Sequence, residues 1–327
     1  MTTTISRISL SAALLLIASP AHSTPPTFPI KGKPVRVLVG FAAGGSTDIQ
    51  ARLLQPRLAE ALGVPVIIEN KPGASTMLAA REVARAEPDG HTLLYSFSGA
   101  FTQNPHTLAD VPYDPLRDFT PISLASRGPL ILVAHSSVPA SNVKELIAYA
   151  KYHPGTLNYA SFGTGTSSHL FGELLARQSG IELVHVPYKG TGDAVKDLLS
   201  GRVQLMFDAA PTAVQNAGTG RVKILGIVAE KRLPLLPNVP TIAEQGVSGI
   251  DILGWLGFFG PAKLPPETVK TLNAAIATAL GAPEVKEGFA KGLYEAVSSS
   301  PEQLGAMVKS GYDQWGKIVK QLGFKPQ

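Results

Sequence analysis

At 327 residues, with 44% hydrophobic and 16% charged residues, the chain is long enough for two compact domains and has the balance of an ordered globular protein. Its formal charge of +5 is spread without any lysine or arginine run interleaved with aromatics, which argues against a nucleic-acid binder. No cysteine is present, so disulfides, thiolate metal sites and thiol catalysis are excluded together.

The chain opens with Arg7, an apolar run from Ile8 to Ala18 and small residues around Ala21-His22-Ser23. One cation, an apolar core too short to span a bilayer and an A-x-A-like end predict a cleaved secretory signal over residues 1–23. No later segment approaches a spanning length, so the mature chain is expected to begin near Thr24 and to work in solution outside the cytoplasm.

After the proline-rich lead from Pro25 to Pro34, apolar β-branched runs alternate with helical patterns. Strands are predicted at Val35–Val39, Pro65–Glu69, Thr92–Ser96, Leu130–Ala134, Leu157–Ala160, Leu183–Val186, Val203–Phe207 and Ile224–Val228. Helices are predicted at Thr47–Leu62, Thr76–Ala86, Val143–Tyr152, Ser168–Ser179, Asp193–Leu199, Pro266–Leu280 and Pro301–Leu322. The alternation and the near-continuous apolar strands predict an α/β fold with mostly parallel sheets covered on both faces. Asn142 with Glu145 forms a capping box, Pro266 suits a first helical turn, and Pro56 is expected to kink or split the first helix.

Two loops share a design. In "GFAAGGSTD", Gly40 to Asp48, the spacing is that of a phosphate-cradling loop, but Ser46 stands where a nucleotide site needs lysine. The second, "SFGTGTSSH", Ser161 to His169, again places glycines and hydroxyls between a strand and a helix. Each helix start offers unpaired amides and a positive dipole end, and glycine allows an anion to come close. The alternative at each loop is a plain turn and cap. Asp48 is read equally as a dipole partner, and Asp208 sits at the end of another strand. Either acid, if it reaches a ligand, should accept a proton from an amine, amide or hydroxyl, because a carboxylate beside an anion raises the cost of both charges. Lys189 is the nearest candidate counter-charge. His169 and Glu173 lie one turn apart without further metal-ligand spacing, so neither a metal nor any cofactor is expected. A secreted hydrolase is disfavoured: no G-x-S-x-G elbow exists, and Ser167 in "GTSSH" lacks the strand-turn spacing that exposes a nucleophile.

The stretches "VGFAAGGSTDIQAR", "VIIENKPGAS", "EPDGHTLL", "VPYDPLRDFTPIS", "NYASFGTGTSSHLFGELL", "HVPYKGTGDAVKDLLSGRVQLMFD", "LPNVPTIAEQG" and "GFFGPAKLPPETVKTLNAAI" together resemble the solute-binding receptors of tripartite tricarboxylate transporters, the Bug receptors. The likeness runs in order from about Pro34 to the C-terminal helix. It implies a monomeric, non-enzymatic periplasmic receptor of the two-domain periplasmic-binding-protein fold. A small organic acid would sit in the interdomain cleft and pass to a two-subunit membrane permease. A receptor presenting the same solute to a membrane kinase is the alternative.

The site residues implied are Phe41, Ala43, Gly44, Gly45, Thr47 and Asp48 from the first loop, and Gly163, Thr164, Gly165, Thr166, Ser167 and His169 from the second. Ser96, Ser98 and Asp208 join them, with backbone amides and ordered waters holding the solute. The domains implied are residues 24–126 plus 252–327, and 127–251. Ser75-Thr76 depart from the family, which usually carries glycine after "ENKPGA".

Overall fold

The computed structural model describes residues 28–326 apart from Lys189; the expected signal over residues 1–23 and the candidate counter-charge at Lys189 lie outside the described residues. The strands are β1 (Val35–Val39), β2 (Val66–Asn70), β3 (Thr92–Phe97), β4 (Phe119–Gly128), β5 (Leu130–His135), β6 (Leu157–Ser161), β7 (Leu183–Pro187), β8 (Leu205–Ala209), β9 (Val222–Ile227), β10 (Gly254–Pro261) and β11 (Glu295–Ala296). The helices are α1 (Ser46–Leu62), α2 (Met77–Ala84), α3 (Gly99–Thr102), α4 (Asn104–Thr107), α5 (Val143–Tyr152), α6 (Ser167–Ser179), α7 (Thr191–Leu199), α8 (Ala210–Ala217), α9 (Pro266–Gly281), α10 (Pro283–Lys291) and α11 (Pro301–Leu322).

Two sheets result, one in the order β11-β4-β10-β3-β1-β2 and the other β7-β6-β8-β5-β9. The expected parallel pairing holds within β2-β1-β3 and β7-β6-β8. Beyond those strands it fails: β10 runs antiparallel to β3 and β4, and β5 antiparallel to β8 and β9. The reason lies in the chain's crossings. β4 ends at Gly128 in one sheet and β5 begins at Leu130 in the other, and the return falls between β9 and β10. A strand that arrives from the opposite lobe is free to enter reversed, with no βαβ crossover to set its direction.

Both sheets are sandwiched by helices, as continuous apolar strands require. Val37, Val39 and Phe258 pack on Leu54, Leu58, Leu272 and Ile276 of α1 and α9, while Leu38, Leu94 and Phe259 pack on Ala80, Val83, Phe101 and Leu304 from the opposite face. In the second sheet Leu132, Tyr159 and Phe207 meet Leu146, Leu170 and Leu174, and Ile131, Ala160 and Met206 meet Ala194, Leu198 and Ala213. The last helix is shared, since Leu304 and Val308 join the first lobe's core whereas Trp315, Ile318 and Val319 join the second lobe's.

Local signals act as their chemistry dictates. Asn142 accepts from the Glu145 amide at 2.9 Å. Pro56 does not split α1, which continues to Leu62. Pro56 and Arg52 both lie on the exposed side of α1, where water can take the carbonyl that proline leaves without a donor. Ser75 and Thr76, where the resembled family carries glycine, sit at φ 51° and 73°. Left-handed backbone costs such residues roughly 1 to 2 kcal/mol each, and Thr76 is held there by burial against Gly40, where an added Cβ would stand 2.4 Å from the threonine Cβ.

Candidate functional site

The loops after β1 and β6 are one turn built twice. After β1, the Gly45 amide closes on Ala42 O at 3.3 Å, Gly44 has φ 81°, and Gly45 sits at φ −74°, ψ 165° before α1 begins. After β6, the Thr166 amide closes on Gly163 O at 3.3 Å, Gly165 has φ 79°, and Thr166 sits at φ −75°, ψ 162° before α6 begins. The positive φ in each turn is what selects glycine at 44 and 165. Each turn is then braced by the side chain four residues on. Gly44 N donates to Asp48 Oδ2 at 2.8 Å, and Gly165 N donates to His169 Nδ1 at 3.0 Å.

Neither helix start is capped by a side chain. Gly45 has none to offer, and the Thr166 hydroxyl donates to Gly163 O at 2.7 Å instead. The first-turn amides of Ser46, Thr47 and Asp48, and of Ser167, Ser168 and His169, are therefore not taken by a capping side chain, and such amides are donors suited to an anion. Each dipole end contributes about 0.3 to 1 kcal/mol to a bound negative charge, and up to ~2 where water is excluded.

The second turn is wedged against the first lobe. Ser167 and the Gln103 side chain exchange hydrogen bonds at 2.9 and 3.0 Å, and Ser168 Oγ donates to Phe207 O at 2.7 Å. Gly165 is buried under α4, where an added Cβ would lie 2.7 Å from Thr107 Cβ. Gly165→Ala is expected to lower stability by about 2 to 4 kcal/mol, combining strained φ with a clash across the lobes. Chemical denaturation measures it. Gly45 is different, since its φ is ordinary and an added Cβ meets nothing nearer than Ala42 O at 3.4 Å.

The two acids behave oppositely. Burial pushes the Asp48 pKa up, but Arg52, the Gly44 amide and Asn70 outweigh it and hold the carboxyl below its ordinary range. Both oxygens are engaged, with Asn70 and Arg52 at 2.9 to 3.0 Å as well as Gly44. Asp48 thus frames the turn. Asp208, at 1% exposure, is pushed up to about 7 by burial, against the opposing Ala209 amide and Thr212 hydroxyl. Its Oδ1 takes the Ala209 amide at 2.8 Å, while Oδ2 has no partner.

Ser96 Oγ, at the end of β3, is likewise buried without a partner, and Ser98 leads into α3. Phe41 packs on Phe97 with ring centroids 5.4 Å apart; Ala43, Gly44 and Gly45 are exposed, Thr47 is buried, and Gly163 and Thr164 are half-buried. Among the described residues no cluster of three metal-binding side chains occurs.

Sequence reasoning missed Gln103, Thr107 and Tyr294. The Tyr294 ring covers Gly128, where an added Cβ would stand 2.2 Å from it. Burial, partly countered by nearby Ser46, raises its hydroxyl pKa, and the Asp208 charge adds to the rise. No local pattern marks these residues, because long-range packing alone brings them to the site.

Residues 50–324 match the model of the family described as tripartite tricarboxylate transporter family receptor. BugT of Bordetella pertussis is 32% identical over 326 residues, covering 99% of both chains. The R. palustris protein Rpa4515, solved with adipate, superposes at TM-score 0.84 with 34% identity, covering 92% of this chain and 100% of that one. MatC of Rhodopseudomonas palustris, solved with bound malate, gives TM-score 0.79 with 35% identity over 89% of this chain and 100% of its own.

Proposed function

The chain belongs to the tripartite tricarboxylate transporter receptor family, and from that premise we propose that it is a periplasmic receptor that captures a small organic acid between its lobes. The observation that carries this reading is the repeated, uncapped turn, which leaves two sets of first-turn amides available to an anion. Ser46, Thr47, Ser167 and Ser168 supply main-chain donors to a carboxylate, with waters completing its shell.

Asp208 lies at the end of β8 with one oxygen unpartnered and no salt bridge among the described residues, which favours a solute that also carries a donor such as a hydroxyl or ammonium. Malate, the ligand of one structural relative, carries a hydroxyl beside its carboxylates; adipate, the ligand of another, has only the acids. The loaded receptor hands its solute to a separate two-subunit permease and acts as a monomer. A nucleophilic role for Ser167 is disfavoured, because its hydroxyl is paired with the Gln103 amide and not with a base. Among the described residues no helix is long and apolar enough to cross a membrane.

Calorimetry with mono-, di- and tricarboxylates on receptor purified without refolding is expected to show one-to-one binding, with the acid recovered unchanged. Binding of sugars or nucleotides while every carboxylate is ignored would end this reading.

A further inference from the structure

A group of titratable side chains, His169, Glu173, His185 and Tyr159, packs against the second turn. The imidazoles of His169 (α6) and His185 (β7) stack face to face, with centroids 3.7 Å apart and planes within 10°. Each ring secures one amide of the turn. Gly165 N donates to His169 Nδ1 at 3.0 Å. Gly163 N donates to Ser161 Oγ at 3.2 Å, and that hydroxyl lies 2.7 Å from His185 Nε2.

A backbone N–H can only donate, so His169 Nδ1 must present its lone pair and the ring proton must reside on Nε2. That nitrogen faces Glu173 Oε1 at 3.6 Å, and the same oxygen accepts from the Tyr159 hydroxyl at 2.5 Å. A proton added to Nδ1 would place one N–H against another and expel the Gly165 amide.

We propose that His169 and His185 are positioning residues that keep the second turn in its solute-holding shape only while both rings are uncharged, so that acid loosens the turn and releases the solute. The release half of this proposal rests on the function proposed above.

The groups facing the pair come from every element packed on it. On α6, contact with His169 holds the Glu173 carboxyl below its ordinary range against burial, so a negative charge is available to receive an imidazolium. On β6, Tyr159 is pushed far above its ordinary range by burial and Glu173 and stays neutral. On β7, burial and then His169 push His185 down to about 4. From the chain's end, Phe324 meets His169 edge-on at 5.5 Å and brings no charge. The first turn has no such response. Its equivalent brace is Asp48, a carboxylate held below its ordinary range, which keeps accepting the Gly44 amide throughout. One half of the grip is thus indifferent to moderate acid and the other half is not.

The test needs no solute at first. In nitrogen-15-labelled receptor, His169 is expected as the Nε2–H tautomer at about pH 7.5, and the Gly165 amide signal should move together with the His169 ring signals as pH falls to about 5. In His169→Asn, whose Oδ1 lies the same number of bonds from the backbone and does not titrate, the Gly165 signal should stay flat. An Nδ1–H tautomer, or a Gly165 amide that ignores the His169 midpoint, overturns the proposal without recourse to any variant.

With malate and adipate as probes, the dissociation constant should rise about five- to tenfold more in wild type than in His169→Asn over that range, the scale of one lost hydrogen bond. Asp208 titrates in both proteins and cancels in this comparison. Equal rises overturn the release step. A turn that titrates as described in a receptor that ignores every mono-, di- and tricarboxylate supports the positioning role and sinks the proposed function instead.

Discussion

Gly45→Asp is expected to make the protein slightly more stable and unable to bind its solute. Gly45 is the N-cap of α1, at φ −74°, ψ 165°, a conformation that aspartate adopts without strain. An N-cap carboxylate reaches the second and third amides of its own helix, here Thr47 and Asp48, and the first of these is a donor assigned to the solute. The variant carries its own anion. Filling the cap and removing a flexible glycine should together add about 0.5 to 1 kcal/mol, whereas occupying the site should weaken binding at least about a hundredfold, ~2.8 kcal/mol. Thermal unfolding and calorimetry on the same preparation give both values. An affinity within about threefold of wild type would show that the α1 amides do not hold the solute. Gly165→Ala cannot serve as this control, because its clash with Thr107 lowers stability and binding together.

Asp208→Asn should change stability by an amount that depends on pH. Burial places the native pKa near 7 against 3.8 for the free side chain, so between about pH 4 and pH 7 the folded protein keeps a proton that the unfolded chain releases. The folded state binds more protons across that window, and stability falls as pH rises through it. Above about pH 7 the penalty is complete, with an upper bound of ~4 kcal/mol from about three pH units at 1.36 kcal/mol each. Asparagine avoids that charge but leaves a buried amide unpaired, at about 1 to 2 kcal/mol. The variant should therefore unfold at or slightly below the wild-type temperature near pH 5, and several degrees above it near pH 8. The same difference at both pH values would mean that Asp208 is not a strained buried acid. Malate affinity should fall in this variant by about tenfold or more if its hydroxyl donates to Asp208.

Which parts of the molecule were legible in the sequence follows from how local their causes are. The two turns could be read because a left-handed backbone writes itself as glycine at 44 and 165, and a helix start that holds an anion writes itself as small hydroxyl residues. β1 was legible because a strand buried on both faces is a continuous apolar run. β4 and β10 were not. Pro121, Ser123 and Ser126 interrupt the first, and glycines at 254, 257 and 260 interrupt the second, so neither shows a strand period. Their direction also depends on the lobe crossings, which no local pattern encodes. Asp48 illustrates a finer limit. Its place in a first helical turn was visible, but that Arg52, Asn70 and Gly44 occupy both its oxygens depends on β2 lying alongside. Gln103 and Tyr294 reach the site from segments with no signature of their own.

The shared last helix restricts how the lobes can move. At 22 residues and about 33 Å, α11 is anchored by Leu304 and Val308 at one end and by Trp315, Ile318 and Val319 at the other. Spreading the lobes like a clam would tear Trp315 from Phe171, a contact of 5.6 Å between ring centroids, and expose an indole that is 2% accessible. Rolling one lobe about the helix axis would likewise drag it across side chains that α11 holds fixed. Relative motion of the lobes therefore asks α11 to flex between Val308 and Trp315 or to release one of its anchorages.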